Sequence, residues 1–313
     1  IVQEIAPDDS IVWSFDYANI DHVSHHDLTL IGNNVLLTAY EKKSSTELNA
    51  AGYNNASSEK WPTHFVELEP DGNGGANIVW EWHIWDHMCQ DTDANVPNYT
   101  TNISDHPELI DINMIQAQGG PPGGGGGDWF HVNGVDYNED LDQIVFSSRF
   151  ASEIYIIDHS TTTAQAATHS GGNSGMGGDI LYRWGNPIAY DRGTIDDRVL
   201  FGQHSVQWIN QNLPGSDNIL IFNNGQNRPD GNYSSIDQID PPINDYNYTI
   251  DTNTTYGPST LFWTYMAPNP SDFYADHISG CQRLENGNTL ICSGPEGRFF
   301  EVDDIGNIVW EYI

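Results

Sequence analysis

The chain has 313 residues, with 10 Lys plus Arg against 44 Asp plus Glu and a formal net charge of −34 at pH 7. A surface field of that sign repels polyanions, which excludes nucleic-acid binding and a polybasic membrane contact. No apolar run approaches the roughly 20 residues of a membrane-spanning helix, and no signal-peptide pattern opens the chain, so the expectation is a soluble protein of extracellular or periplasmic location, already processed and without membrane insertion.

In chain order, residues 1 to 18 read as two strands, the second being Ile11-Val12-Trp13-Ser14-Phe15. A first complete unit follows: a strand after His25-His26 (Asp27-Leu28-Thr29), a Gly32-Asn33 turn, the apolar run Asn34-Val35-Leu36-Leu37, then Phe65-Val66-Glu67-Leu68-Glu69 and Ile78-Val79-Trp80-Glu81-Trp82. A second unit opens at His131-Val132-Asn133-Gly134 and continues through Gln143-Ile144-Val145-Phe146 and Glu153-Ile154-Tyr155-Ile156-Ile157-Asp158 to Ile180-Leu181-Tyr182-Arg183-Trp184. A third runs from His204-Ser205-Val206-Gln207 through Asn218-Ile219-Leu220-Ile221 to Leu261-Phe262-Trp263-Thr264-Tyr265. The fourth comprises His277-Ile278-Ser279-Gly280, Asn288-Thr289-Leu290-Ile291, Phe299-Phe300-Glu301-Val302-Asp303 and Ile308-Val309-Trp310-Glu311-Tyr312.

Four antiparallel strands per unit, separated by turns, predict an all-β chain: a single β-propeller domain over residues 1–313 with five or six blades, four complete and one half-blade visible. His131, His204 and His277 recur at intervals of 73 and 73 residues. The half-blade exposes a strand edge that another chain could complete, so a homo-oligomer is one expected partner.

A non-repeating insertion spans about residues 86–128. Within it His106-Pro107-Glu108-Leu109-Ile110-Asp111-Ile112 predicts a short helix, and the tract from Gly119 to Gly127 a flexible loop. No Lys-Ser/Thr pair follows that tract, so it is not a phosphate-binding loop. Asp86, His87, Asp91 and Asp93 offer an alternative oxygen-rich site for Ca²⁺, without the Gly and terminal Glu of an EF-hand loop. Asx-turns and a helix cap account for the same residues. His159 and His169, beside glycine pairs, read as loop residues more readily than as ligands. Cys281 and Cys292 flank Glu285-Asn286-Gly287-Asn288; a two-residue Asn-Gly hairpin places them opposite each other on a hydrogen-bonded pair, a poor geometry for a disulfide, and pairing stays open.

In a propeller, equivalent positions of the innermost strands converge at one end of the channel. Here those positions hold His25 or His26, His131, His204 and His277, with Arg149 and Arg228 beside them. Only seven Arg and three Lys are present. A ring of His and Arg in an acidic protein is a local trap for a sulfate, phosphate or carboxylate group.

The runs Asp128-Trp129-Phe130-His131-Val132-Asn133, Ile144-Val145-Phe146-Ser147-Ser148-Arg149, Gln203-His204 with Ile219 to Gly225 and Arg228, and Leu284-Glu285-Asn286-Gly287-Asn288-Thr289-Leu290-Ile291 resemble the bacterial arylsulfotransferases, the PAPS-independent aryl-sulfate sulfotransferases. The similarity covers nearly the whole chain and is closest from Trp80 to Tyr190. Trp85-Asp86-His87, His106 to Asp111 and Tyr182 to Pro187 resemble the family's shorter members. The resemblance implies a six-bladed propeller that passes a sulfuryl group from a phenolic sulfate ester to a phenol through a sulfated His, with no PAPS and no metal. It also implies catalytic roles for His131, His204 and Arg228, with His277 as the positional match to the nucleophile. His25, His26, Asn133 and Arg149 are expected to bind the small anionic aromatic ester. The alternative is a non-catalytic extracellular propeller serving as a binding module or assembly subunit.

Overall fold

Short apolar runs bounded by Gly, Asn and Asp turns form strands wherever the sequence repeats them. The structure is a computed structural model and describes residues 1–114 and 127–313. The glycine tract, apart from Gly127, lies outside the described residues. The chain divides into two compact units, residues 1–132 with 157–180, and residues 133–156 with 181–313.

In the first unit, β1 (Val2–Ile5) and β2 (Ile11–Phe15) pair as a two-stranded antiparallel sheet. β3 (His22–Ile31), β4 (Asn34–Glu41), β5 (Thr63–Pro70) and β6 (Ala76–His83) form a four-stranded antiparallel sheet in sequential order. Trp13 and Tyr17 from the first sheet pack with Val35, Leu37, Ala39, Val66 and Leu68 of the second. Burial of β4 is nearly continuous, whereas β6 exposes Ile78 and Val79, so the second strand of this sheet lies in the core and the aromatic fourth strand forms its edge. Two short helices, α1 (Ser45–Ala50) and α2 (Thr163–Ala166), start in capping boxes, Ser44 with Glu47 and Thr162 with Gln165.

Three further four-stranded antiparallel sheets follow, the last two wholly within the second unit. The strands of the insertion are β7 (Met88–Cys89) and β8 (Ile110–Asp111), and the next sheet is β9 (Val132–Asn138), β10 (Gln143–Ser148), β11 (Glu153–Asp158) and β12 (Tyr182–Trp184). β13 (His204–Trp208), β14 (Ile219–Asn223) and β15 (Ser235–Ile239) are joined by β18 (Trp263–Tyr265) after the small hairpin β16 (Ile243–Asn244) and β17 (Asn247–Tyr248). The last sheet is β19 (Gly280–Arg283), β20 (Thr289–Ser293), β21 (Arg298–Val302) and β22 (Ile308–Tyr312). Between the last two sheets Leu220, Phe222, Ile236, Tyr265, Phe273, Ile291, Phe300 and Val302 make one buried cluster. Every four-stranded sheet expected from the repeat is therefore present. No helix among the described residues is long and apolar enough to cross a membrane.

Three local expectations are corrected. Residues 106–112 are not helical: Leu109 N–H donates to His106 O, and β8 then pairs in parallel with β7. Seven residues are too few to nucleate a helix alone, and Ile110 and Ile112, both fully buried, have the period of a strand. The Asn286-Gly287 hairpin has one more loop residue than expected, because Leu284 N–H donates to Asn288 O and Gly287 takes φ 89°. Cys281 consequently faces Ile291, Cys292 faces Gly280, and both thiols are free. A one-residue slip sends the two side chains to opposite faces of the sheet.

The third correction concerns where the histidines sit. His26 (φ 52°), within β3, and His131 (φ 51°), Ser205 (φ 51°) and Ile278 (φ 46°), at or just before the start of β9, β13 and β19, adopt the left-handed region. β3 is bulged between Ser24 and Leu28, and β13 between His204 and Val206. The backbone thus makes His131 equivalent to Ser205 and Ile278, while His204 and His277 stand one residue earlier, level with His25. The even 73-residue spacing joins positions that the fold treats as neighbours, not equivalents. A non-glycine residue held at positive φ stores strain of roughly 1–3 kcal/mol, and such positions cluster at functional sites.

Candidate functional site

In the first unit, His25, His26 and His131 come together. The Nδ1 atoms of His25 and His26 are 2.7 Å apart, and the rings of His26 and His131 meet edge-on with centroids 4.5 Å apart. His25 stacks on Tyr40 at 3.5 Å. Burial of the His25 ring, reinforced by the neighbouring imidazoles, holds its pKa well below the ordinary value, so it is neutral at pH 7. Asp128, itself buried, accepts from the His131 backbone N–H at 3.1 Å and hydrogen-bonds His131 Nδ1 with its second oxygen. A carboxylate on Nδ1 fixes the tautomer and presents Nε2 for chemistry. Burial, and then Asp128, push the Tyr40 hydroxyl upward, so it remains protonated.

In the second unit, one buried amide links His204 to the segment that carries His277, while Arg149 and Arg228 have hydrogen-bond partners of their own. Asn224, fully buried just beyond β14, meets His204 Nδ1 through its Oδ1 at 2.7 Å. Its Nδ2 donates to Ala275 O at 2.8 Å and Ile278 O at 3.1 Å, the carbonyls on either side of Asp276 and His277. Asn224 therefore couples the His204 ring to the segment that carries His277. Asp276 binds His277 Nδ1; that hydrogen bond, more than any other contact, lowers the Asp276 carboxyl, and Arg149 adds to the lowering. Arg149 Nη2 also donates to Gln226 at 3.3 Å. Arg228 donates from Nε to Tyr233 O and from Nη2 to Ser235 Oγ at 2.8 Å, and its guanidinium lies over the rings of Tyr233 and Phe201. Gly225 (φ 75°) permits this turn, since a Cβ there would stand 1.6 Å from Tyr233 O. Asn133 donates to Gln203 O, which makes it a brace for the approach to β13.

The remaining five arginines have structural duties. Arg183 is bidentate on Glu153, Arg298 pairs with Glu311, Arg283 holds Gln238, Arg198 reaches Ser152, and Arg192 donates to Thr254 O. Asn224 was missed: its only signal was its place in the run Asn223-Asn224-Gly225. The strand Ser235–Ile239 was missed as well, because Ser235, Asp237 and Gln238 are polar yet buried. Asp237 accepts from Asn223, Ser235 and Thr264, which offsets its desolvation and supports the Arg228 turn.

The quartet Asp86, His87, Asp91 and Asp93 does not assemble. Asp91 is exposed, Asp93 is occupied by Asn95, and His87 turns to Asp179 instead. His159 hydrogen-bonds Glu67 at 3.0 Å.

A second histidine group in the first unit governs stability. His64, 1% exposed, hydrogen-bonds the Tyr17 hydroxyl at 2.9 Å and stacks on His83 with centroids 5.0 Å apart. Burial, and next the charge of His83, bring the His64 pKa down to about 3. Burial also opposes charge on His83, but the hydrogen bond and charge of Glu41 at 3.2 Å outweigh it and raise that pKa. The folded pKa of His64 is depressed, so its neutral form favours folding above the unfolded value near 6.5, and this stability is lost as pH falls from there toward 3. Lowering the pH from 7 to 5 is expected to cost wild type about 2 kcal/mol through this residue. Urea unfolding at both pH values checks this: His64→Gln should show a drop smaller by about that amount, and an unchanged drop would contradict the assignment.

These elements define an all-β chain of four-stranded antiparallel sheets carrying several carboxylate-held imidazoles, among them His131 on Asp128 and His277 on Asp276. The chain belongs to the arylsulfotransferase family, whose model matches residues 13–312. Among solved structures it is similar to a protein of unknown function from Bacteroides caccae, at 11% identity over 99% of this chain and 73% of that one with a TM-score of 0.46. It is also similar to a putative 6-phosphogluconolactonase from Bacteroides fragilis, at 12% identity over 90% and 67% of the two chains with a TM-score of 0.34. No curated protein matches it.

Proposed function

We propose that this chain transfers a sulfuryl group from a phenolic sulfate ester to a phenolic acceptor, with His277 as the nucleophile and the four-stranded sheets as propeller blades. The observation that carries the proposal is the engagement of His277 Nδ1 by Asp276 in an exposed segment, within a chain of the arylsulfotransferase family. Nε2 then holds the lone pair and attacks sulfur; the S–O bond to the phenol breaks, and the phenoxide takes a proton from a neighbouring imidazolium, for which His204 is the candidate. The acceptor phenol next gives its proton to the now neutral imidazole as it attacks sulfur, the N–S bond breaks, and both histidines return to their starting states. Arg149 and Arg228 would offset the negative charge on the sulfuryl oxygens. Asn224 would act as a positioning residue, since it touches both His204 and the carbonyls flanking His277. The donor ester carries the activated group itself, so no nucleotide donor enters the scheme.

Incubation with a chromogenic aryl sulfate and a phenol acceptor tests this directly. Phenol release should accompany a sulfuryl adduct on the peptide containing His277, resolved by mass spectrometry at alkaline pH. Absence of both release and adduct on any histidine would overturn the proposal.

A further inference from the structure

Away from these residues, within the first unit, three side chains converge in a manner the sulfuryl transfer does not use. His87 Nδ1 lies 2.8 Å and His169 Nδ1 2.7 Å from the same Asp179 oxygen, and the three potential ligand atoms all lie within 4.8 Å of one another. His87 follows β6, and its partners come from the loop after α2, some 80 to 90 residues later. His87 is fully buried, stacked on Trp82 at 5.5 Å, and Trp82 in turn donates to Gly178 O. His87 Nε2 faces the carbonyl of Ala166 at 2.8 Å. A carbonyl only accepts, so Nε2 carries the proton and Nδ1 is the nitrogen available as a lone-pair donor toward Asp179 and His169. A backbone carbonyl on the distal ring nitrogen is the usual means of orienting a metal-bound histidine. Gly178 makes the approach possible, since a Cβ there would stand 2.6 Å from His87 Nε2 and 2.0 Å from Ala166 O.

We propose that His87, His169 and Asp179 bind a divalent first-row transition-metal ion, with zinc as the ion best matched to two imidazoles and one carboxylate. Zinc takes nitrogen at about 2.0–2.1 Å and carboxylate oxygen at about 2.0–2.2 Å, which sets tetrahedral donors roughly 3.3–3.4 Å apart, so each imidazole would move back from Asp179 by about half an ångström or slightly more. Three protein ligands leave a fourth position open, the arrangement of a reactive rather than a closed site. That position has an outlet: His169 also lines a cavity of about 450 Å³ bounded by Trp85, Asp86, Tyr99 and His106. A water or a small anion entering the cavity would complete the coordination. This site is independent of the sulfuryl transfer proposed above, and either can fail without the other.

Zinc binding to the full chain, stripped with chelator and titrated at pH 7.5 in competition with a chromogenic indicator, reads out the site without any activity. Wild type should take up one tight equivalent. His169→Ala, at a side chain that is 63% exposed, should fold normally and bind at least about a hundredfold more weakly. Asp179→Asn should also lose the tight equivalent, and Co²⁺ substituted into wild type should give the intense visible bands of a low-symmetry site that both variants lack. No tight equivalent in wild type, or one that both variants retain, would overturn the proposal and leave a buried histidine–carboxylate hydrogen bond as the role of His87.

Discussion

His277→Asn is expected to lower turnover of an aryl sulfate by at least about a thousandfold, because removal of a covalent nucleophile leaves only binding and charge stabilisation. The loss should fall on kcat, with little change in KM. The side chain is 53% exposed, so the urea midpoint should stay within about 0.5 kcal/mol of wild type, which separates a chemical effect from a folding one. The sulfuryl adduct should vanish with the activity. Persistence of an adduct in His277→Asn, lost instead in His131→Asn, would move the nucleophile to the imidazole held by Asp128.

Arg183→Met is expected to destabilise the second unit by about 3–5 kcal/mol, because it strands the Glu153 carboxylate in the core. Arg183 and Glu153 have no exposed side-chain surface, and Nε and Nη2 donate to the two carboxylate oxygens at 3.0 and 2.5 Å. The Tyr155 hydroxyl adds a third bond to Glu153, and the guanidinium packs against Tyr155 and Tyr190. Burial pushes the Glu153 carboxyl up, and Arg183 and Tyr155 work against that push. Removing the arginine removes the largest opposing contribution. The double variant Arg183→Met with Glu153→Leu should recover most of the loss, since it eliminates the stranded charge as well. Urea unfolding of both variants decides the matter: a double variant no more stable than the single one would show that the guanidinium acts through packing alone.

Arg183 also illustrates what one sequence conceals. Seven arginines in so acidic a chain are conspicuous, but scarcity alone does not separate a guanidinium buried on Glu153 from one that acts on Asp276. Arg149 and Arg228 stood out because they follow the second strand of a unit, and the fold does place them at those strand exits, near Asp276 and on Ser235 respectively. The polar strand Ser235–Ile239 was hidden for a related reason. Its stability comes from partners on β14 and β18, and a hydrophobic pattern does not register a buried aspartate satisfied by three donors.

The sequence by itself determined most of the strands and their grouping into units, Ser235–Ile239 and Ile110–Asp111 excepted, since alternation, β-branched and aromatic runs and Gly/Asn turns act within a few residues. It also determined the family, through runs such as Asp128 to Asn133. Tertiary structure alone decided the register. A bulge shifts every following side chain by one place, so His204 takes the strand position of His25 and not that of His131, and one extra residue in the hairpin loop makes Cys281 face Ile291 and not Cys292. It likewise decided the partners of His87, which are held by a loop far along the chain, because long-range contacts are fixed by packing and hydrogen-bond satisfaction, not by proximity in sequence.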